Sequence, residues 1–155
     1  MIHHMTGNIF DTNCVGIVNP VNCVGVMGAG LALQFKNFYP QMFAEYKKRC
    51  YLNQLVIGDL DLHYLNDGQQ VIINFPTKLH WRNPSKMEYL VAGLETFATY
   101  YRYIGVDSVA FPLLGVGRGG LPENEVVPLM ESYLSQCNIH IEIWKFDNPL
   151  EVNRG

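Results

Sequence analysis

The stretch VGIVNPVNCVGVMGAGLALQFKN, residues 15–37, decides how this chain folds. Val15 to Val18 reads as a buried strand, and Asn19-Pro20-Val21-Asn22 follows it as a loop. Gly28 to Asn37 then reads as a helix. Between strand and helix, Gly25, Gly28 and Gly30 either supply the positive φ angles of a tight turn or bring backbone N–H groups to an anion site, and the adjacent helix N-terminus favours the anion site. Gly25 and Gly30 have the G-x-x-x-x-G spacing of a P-loop. However, Leu31 and Ala32 stand where that motif needs Lys and Ser/Thr. The junction suits a phosphate compound, but not one whose γ-phosphate calls for a P-loop lysine.

The same alternation runs along the rest of the chain. Gln41 to Cys50 reads as a second helix, parted from the first by Pro40. Gly58 to Leu65 alternates as a half-buried strand, and its Asp59 and Asp61 are expected on the solvent side. Asn66-Asp67-Gly68 reads as a turn into a buried strand from Gln70 to Phe75. Ser85 and Glu88 form a capping box after Pro84, opening a helix with Leu90, Val91, Leu94, Phe97, Ala98 and Tyr101 on one face. Ser108 to Leu114 reads as a buried strand, Glu125 to Ser135 as a helix and His140 to Phe146 as a last strand. Residues 151–155 read as a frayed end. The expected fold is α/β, a three-layer α/β/α sandwich around a sheet of about six strands, with residues 1–155 in one domain. In such a sandwich the ligand loops gather at the C-terminal ends of the strands.

Of the 155 residues, 48% are hydrophobic and 16% charged, as in an ordinary folded chain. No apolar run approaches ~20 residues. The opening MIHHMTGNIF lacks the charged and apolar regions of a signal peptide, so a soluble cytoplasmic protein without membrane contact is expected. Cys14, Cys23, Cys50 and Cys137 include no C-x-x-C pair, which argues against zinc and against a disulfide framework. His3 and His4 stand apart from any other ligand-like cluster, so no metal is expected. A net charge of −3 argues against a generally cationic nucleic-acid binder and leaves room for a local basic patch.

Three more stretches carry chemistry. GVGRGGL, Gly115 to Leu121, matches G-x-G-x-x-G but comes late in the chain, without the βαβ unit of a dinucleotide fold. It reads better as a second backbone cradle facing the first, the two loops gripping one pyrophosphate. In NFPTKLHWRNPSK, Asn74 to Lys86, the basic Lys78, His80, Arg82 and Lys86 surround Trp81. That mixture suits stacking on a base and pairing with a backbone phosphate, although a solvated loop with Trp81 as a packed lid reads equally from residue types. Asn19 and Asn22 either cap a turn or meet ribose hydroxyls.

On TGNIFDTNCVGIVNPVNCVGVMGAGLALQF, INFPTKLHWRNPS and SVAFPLLGVGRGGL the chain resembles the macrodomain family, which binds ADP-ribose. The likeness runs from Thr6 to about Phe146 and points to the branch of DarG-type antitoxin macrodomains and terminal ADP-ribose glycohydrolases. The resemblance implies a macrodomain-like mixed sheet and a set of residue roles. Asn8 and Ile9, where many macrodomains have Asp-Ile, would meet adenine, and Asn22, with Asn19 beside it, the distal ribose. Val26, Met27, Gly28, Ala29 and Gly30 would hold the pyrophosphate from one side, and Gly115, Val116, Gly117, Arg118 and Gly119 from the other. Lys78, with Thr77 before it, would be the catalytic lysine beside the anomeric carbon, acting as an amine nucleophile or as an ammonium. His80, Trp81 and Arg82 would contact DNA.

Terminal glycohydrolases use an acid in the second glycine loop, whereas Arg118-Gly119-Gly120 offers none, which favours the DarG-type reading. The implied activity is removal of ADP-ribose from thymine bases in single-stranded DNA by a monomer without cofactor, opposing a DarT-like toxin. Alternatives are a non-catalytic ADP-ribose reader and a hydrolase of small ADP-ribose derivatives or ADP-ribosylated protein.

Overall fold

Residues 15–37 fold as a βα unit in the computed structural model, which describes residues 1–146. The frayed end expected at 151–155 lies outside them. The strand β2 (Gly16–Asn22) runs on through Asn19-Pro20-Val21-Asn22, which the sequence reads as a loop. Its neighbours are β1 (Ile2–Thr6), β3 (Asp61–Leu65), β4 (Gln70–Lys78), β5 (Ser108–Pro112) and β6 (His140–Lys145). The six form one mixed sheet in the order β1-β6-β5-β2-β4-β3. Only β3 runs against its neighbour, β4, and the other pairs are parallel. The C-terminal ends of five strands therefore share one edge of the sheet.

Helices cover both faces, as the α/β/α expectation requires. Helices α1 (Gly30–Phe38) and α2 (Pro40–Tyr51) bury Phe35, Met42 and Tyr46 against Ile17 and Ile72. Pro40 is the first residue of α2, a position that needs no backbone N–H. On the other face, α3 (Met87–Ile104) and α4 (Glu123–Leu134) bury Leu90, Leu94, Phe97, Val126 and Met130 against Val18, Phe75 and Phe111. No helix among the described residues is long and apolar enough to cross a membrane.

Three local expectations are corrected. The strand expected from Gly58 begins only at Asp61, because the Asp59 carboxylate accepts from the Val56 backbone N–H and closes a turn there. Asp61 itself is not on the solvent side. It lies opposite Asn74, buried, and its carboxylate accepts from Arg49 and Asn74 and meets Nε2 of His63. Ser85 does not cap α3: Lys86 takes that position, and the Ser85 backbone N–H donates to the Gly119 carbonyl at 2.9 Å instead.

Candidate functional site

Where β2, β4, β5 and β6 end, their loops enclose a cleft of about 880 Å³, ample for a dinucleotide-sized ligand. The first wall is the glycine junction. Asn22 shapes it from inside: Nδ2 donates to the Val26 carbonyl at 2.8 Å, and Oδ1 accepts from the N–H groups of Val24 and Val26. Below it, the buried Tyr46 hydroxyl lies 2.9 Å from Oδ1 and 2.7 Å from the Asn22 carbonyl. Residues 28–30 line the cleft at the start of α1.

The opposite wall is the loop after β5. A 3-10 turn, Gly117–Gly119, is closed by Gly120 N–H donating to Gly117 O, and Leu121 N–H donates to Gly115 O. A Cβ on Gly119 would meet Ser85 Oγ at 2.6 Å, so only glycine fits against this support. The Ser85 hydroxyl is buried and has no hydrogen-bond partner.

Lys78 ends β4 between these walls. Val21 pairs with Pro76 but Asn22 pairs with Lys78, so β4 carries one extra residue and bulges at Thr77. Bulges of this kind re-aim side chains at the ends of strands. Lys78 is half-buried, and its Nζ donates to the Trp81 carbonyl at 3.4 Å. Burial, and then the Arg118 guanidinium, lower its pKa from the ordinary lysine value. On the rim, the Arg82 guanidinium sits 4.8 Å over the half-exposed Trp81 ring, and the His80 ring lies 5.4 Å away.

Most of the expected site residues meet here: Asn22, Val26, Gly28, Ala29, Gly30, Thr77, Lys78, Trp81, Arg82 and residues 115–119 all line the cleft. Five do not. Asn19 is wholly buried beneath it, its Nδ2 donating to Asn74 and near Met27 Sδ, because β2 continues as strand and turns this side chain into the α1/α2 layer. Met27 is buried beside it. His80 is spent on the Arg82 backbone N–H. Asn8 and Ile9 lie at the 3-10 turn after β1, where Asn8 accepts from Phe10 N–H and Ile9 is buried.

Sequence reasoning missed Ser85, Glu123, Lys145 and Phe146 as lining residues, along with the Glu123–Lys145 ion pair at 2.9 Å. The rule that ligands gather at strand C-terminal ends would have pointed to Lys145 and Phe146. Metal-type donors cluster elsewhere: Cys14, His140 and Glu142 offer atoms within 4.8 Å of one another. There the Glu142 carboxylate already accepts from Thr12 and Trp144 and meets His140.

Comparison with known proteins agrees with this architecture. The Macro domain family model matches residues 18–130, and the chain belongs to that family. The macrodomain of Mycobacterium tuberculosis DarG superposes with a TM-score of 0.88 at 43% identity, covering 93% of this chain and 97% of that one. A Thermosipho africanus DarTG structure in complex with ADP-ribose superposes with a TM-score of 0.85 at 34% identity, covering 94% of this chain and 40% of that one. A curated relative from Mycobacterium tuberculosis, a DNA ADP-ribosyl glycohydrolase, is 46% identical over 139 residues, which is 88% of this chain. This chain spans about two fifths of the length of such curated relatives.

Proposed function

We propose that this domain is an ADP-ribosyl glycohydrolase that removes ADP-ribose from thymine bases in single-stranded DNA, and that its biological counterpart is a DarT-like toxin. The observation that carries the reading is Lys78: a half-buried amine between two glycine loops, with a basic and aromatic rim beside it. The relatives' names give the substrate class, and the ADP-ribose complex of the Thermosipho protein gives the ligand. In this reading the backbone of residues 28–30 and 115–119 cradles the diphosphate, and Asn22 keeps the first loop in shape for it.

In this reading Lys78 acts as an amine nucleophile, and burial together with the Arg118 guanidinium lowers its pKa in the direction that role needs. Nζ attacks the anomeric carbon of the distal ribose, and the glycosidic bond to the base breaks with its electron pair going to the base nitrogen. The base takes up the proton that Nζ releases. Water then displaces the amine and frees ADP-ribose. Trp81 and Arg82 hold the flanking strand by stacking and phosphate pairing.

The test is incubation of a thymine-ADP-ribosylated oligonucleotide with wild type and Lys78→Ala. Release by wild type and loss of at least a hundredfold in the variant are expected. Equal release by both removes Lys78 from the reaction. ADP-ribose binding without turnover on DNA, protein or small-molecule conjugates would make the domain a reader instead.

A further inference from the structure

We propose that Tyr46 is a positioning residue of this cleft: its buried hydroxyl fixes the Asn22 amide, which then offers a ligand one N–H donor and no acceptor. The inference rests on the ADP-ribose reading above for its ligand. Asn22 ends β2 and lines the cleft. The N–H groups of Val24 and Val26 lie 3.1 and 3.3 Å from one atom of its amide. Backbone N–H groups only donate, so that atom is the oxygen. The nitrogen then faces the Val26 carbonyl at 2.8 Å and spends one of its two protons there.

Val24 and Val26 belong to the irregular segment between β2 and α1, so they move with the loop they shape and cannot hold it from outside. Tyr46 can. It stands on α2 with no exposed surface, packed in the layer that holds Ile17, Phe35 and Ile72. Its hydroxyl lies 2.9 Å from Asn22 Oδ1 and 2.7 Å from the Asn22 carbonyl, so one proton is shared between two oxygens of the same residue. Burial pushes the hydroxyl pKa up and keeps that proton in place. Among the described residues no other side chain bonds to Asn22.

Two consequences follow for a ligand. Oδ1 receives three donors on two lone pairs, and none is left for a ligand hydroxyl. Nδ2 keeps one proton that no group among the described residues accepts. Asn22 therefore selects an oxygen with a free lone pair, and it serves neither as a hydrogen-bond acceptor nor as a base. The Val26 N–H is turned inward onto Asn22, so the first glycine loop meets an anion without it. Losing the Tyr46 proton takes away the one rigid support of the amide and leaves Asn22 to the loop.

The experiment compares wild type, Tyr46→Phe, Asn22→Ala and the double variant by calorimetric titration with ADP-ribose. Tyr46→Phe keeps the buried ring and should bind about two- to tenfold more weakly. The double variant should bind no more weakly than Asn22→Ala alone, because Tyr46 acts through Asn22. In nitrogen–proton NMR spectra of wild type, ADP-ribose should shift the Asn22 side-chain amide. Amide exchange at Val24 and Val26 should quicken in ligand-free Tyr46→Phe, while the buried Ile72 and Ile73 of β4 keep their wild-type rates. Wild-type affinity in Tyr46→Phe, or losses that add in the double variant, overturns the positioning role. Exchange that quickens across the whole sheet makes Tyr46 a core residue only and overturns it too. An Asn22 amide that does not shift overturns the donor. Failure of the wild type to bind ADP-ribose overturns the ADP-ribose reading, and exchange at Val24 and Val26 then decides the role of Tyr46 by itself.

Discussion

A Cβ on Gly93 would lie 2.3 Å from Cζ of Phe75 and 2.6 Å from Cε1. Helix α3 and β4 approach closely at this point, and Phe75 is wholly buried, so its ring has little room to give way. Glycine inside a helix costs about 1 kcal/mol relative to alanine, and here that cost admits the close approach. Gly93→Ala is thus expected to destabilise the domain by about 3 kcal/mol despite its better helix propensity. Thermal denaturation reads this directly, and a melting temperature at or above wild type would contradict the packing. The double variant with Phe75→Leu should recover part of the loss.

The Asp61 carboxylate gives the second prediction. It accepts from Arg49, takes Asn74 Nδ2 at 3.0 Å and meets His63 Nε2 at 2.7 Å, while Glu45 holds the other nitrogen of His63 at 2.8 Å. Asn74 in turn accepts from Asn19 at 3.0 Å, beneath the first glycine loop. Removing one member of a buried charged network leaves the others without partners and costs about 3–5 kcal/mol. Asp61→Ala should fall in that range in urea denaturation, and Asp61→Asn, which keeps the shape and one acceptor, below it. A near-neutral Asp61→Ala would mean that Arg49, His63 and Asn74 find other partners.

This network also marks the limit of what the chain reveals as a string of residues. The buried strands, the two glycine loops and the lysine between them are all readable, because apolar runs, glycine clusters and a strand-end lysine are local signals. Asp61 looks like the outer face of an amphipathic strand, and only its pairing opposite Asn74 turns it inward. Asn19 looks like a loop donor, until β2 continues through it and buries it. Ser85 has the spacing of a capping box, yet the loop at Gly119 claims its backbone N–H. In each case a partner distant in sequence outweighs the local pattern. The bulge at Thr77 and the reach of Arg118 onto Gly30 are likewise tertiary facts that no spacing encodes.

Glu142 predicts a response to acid. Burial raises its pKa, but hydrogen bonds from His140, Thr12 and Trp144 outweigh burial and bring it down to about 2. A carboxyl whose folded pKa lies below its unfolded value, here 4.5, stabilises the fold above that unfolded value. The contribution is lost as pH falls from about 4.5 towards about 2. Glu142→Gln should therefore be less stable than wild type at pH 7, with the gap closing across that acid window. Parallel stability curves for the two proteins from pH 6 to pH 2 would show that the carboxylate is not held in this way.

The last prediction separates holding the ADP-ribose from holding the nucleic acid. Trp81 is 46% exposed, beneath the Arg82 guanidinium, and belongs to the loop after β4, whereas the two glycine loops follow β2 and β5. Stacking of a base on an aromatic ring contributes about 1–3 kcal/mol, or roughly five- to 150-fold in affinity. Trp81→Ala should accordingly raise KM for the modified oligonucleotide within that range. Its affinity for free ADP-ribose should fall far less. Arg82→Ala should flatten the salt dependence of oligonucleotide binding, with a log–log slope smaller by about one, because one phosphate contact is gone. Steady-state kinetics on the oligonucleotide beside calorimetry with ADP-ribose measures both. Equal losses on the two ligands would put Trp81 in the ADP-ribose pocket itself, and no loss on either would make it the packed lid of a solvated loop.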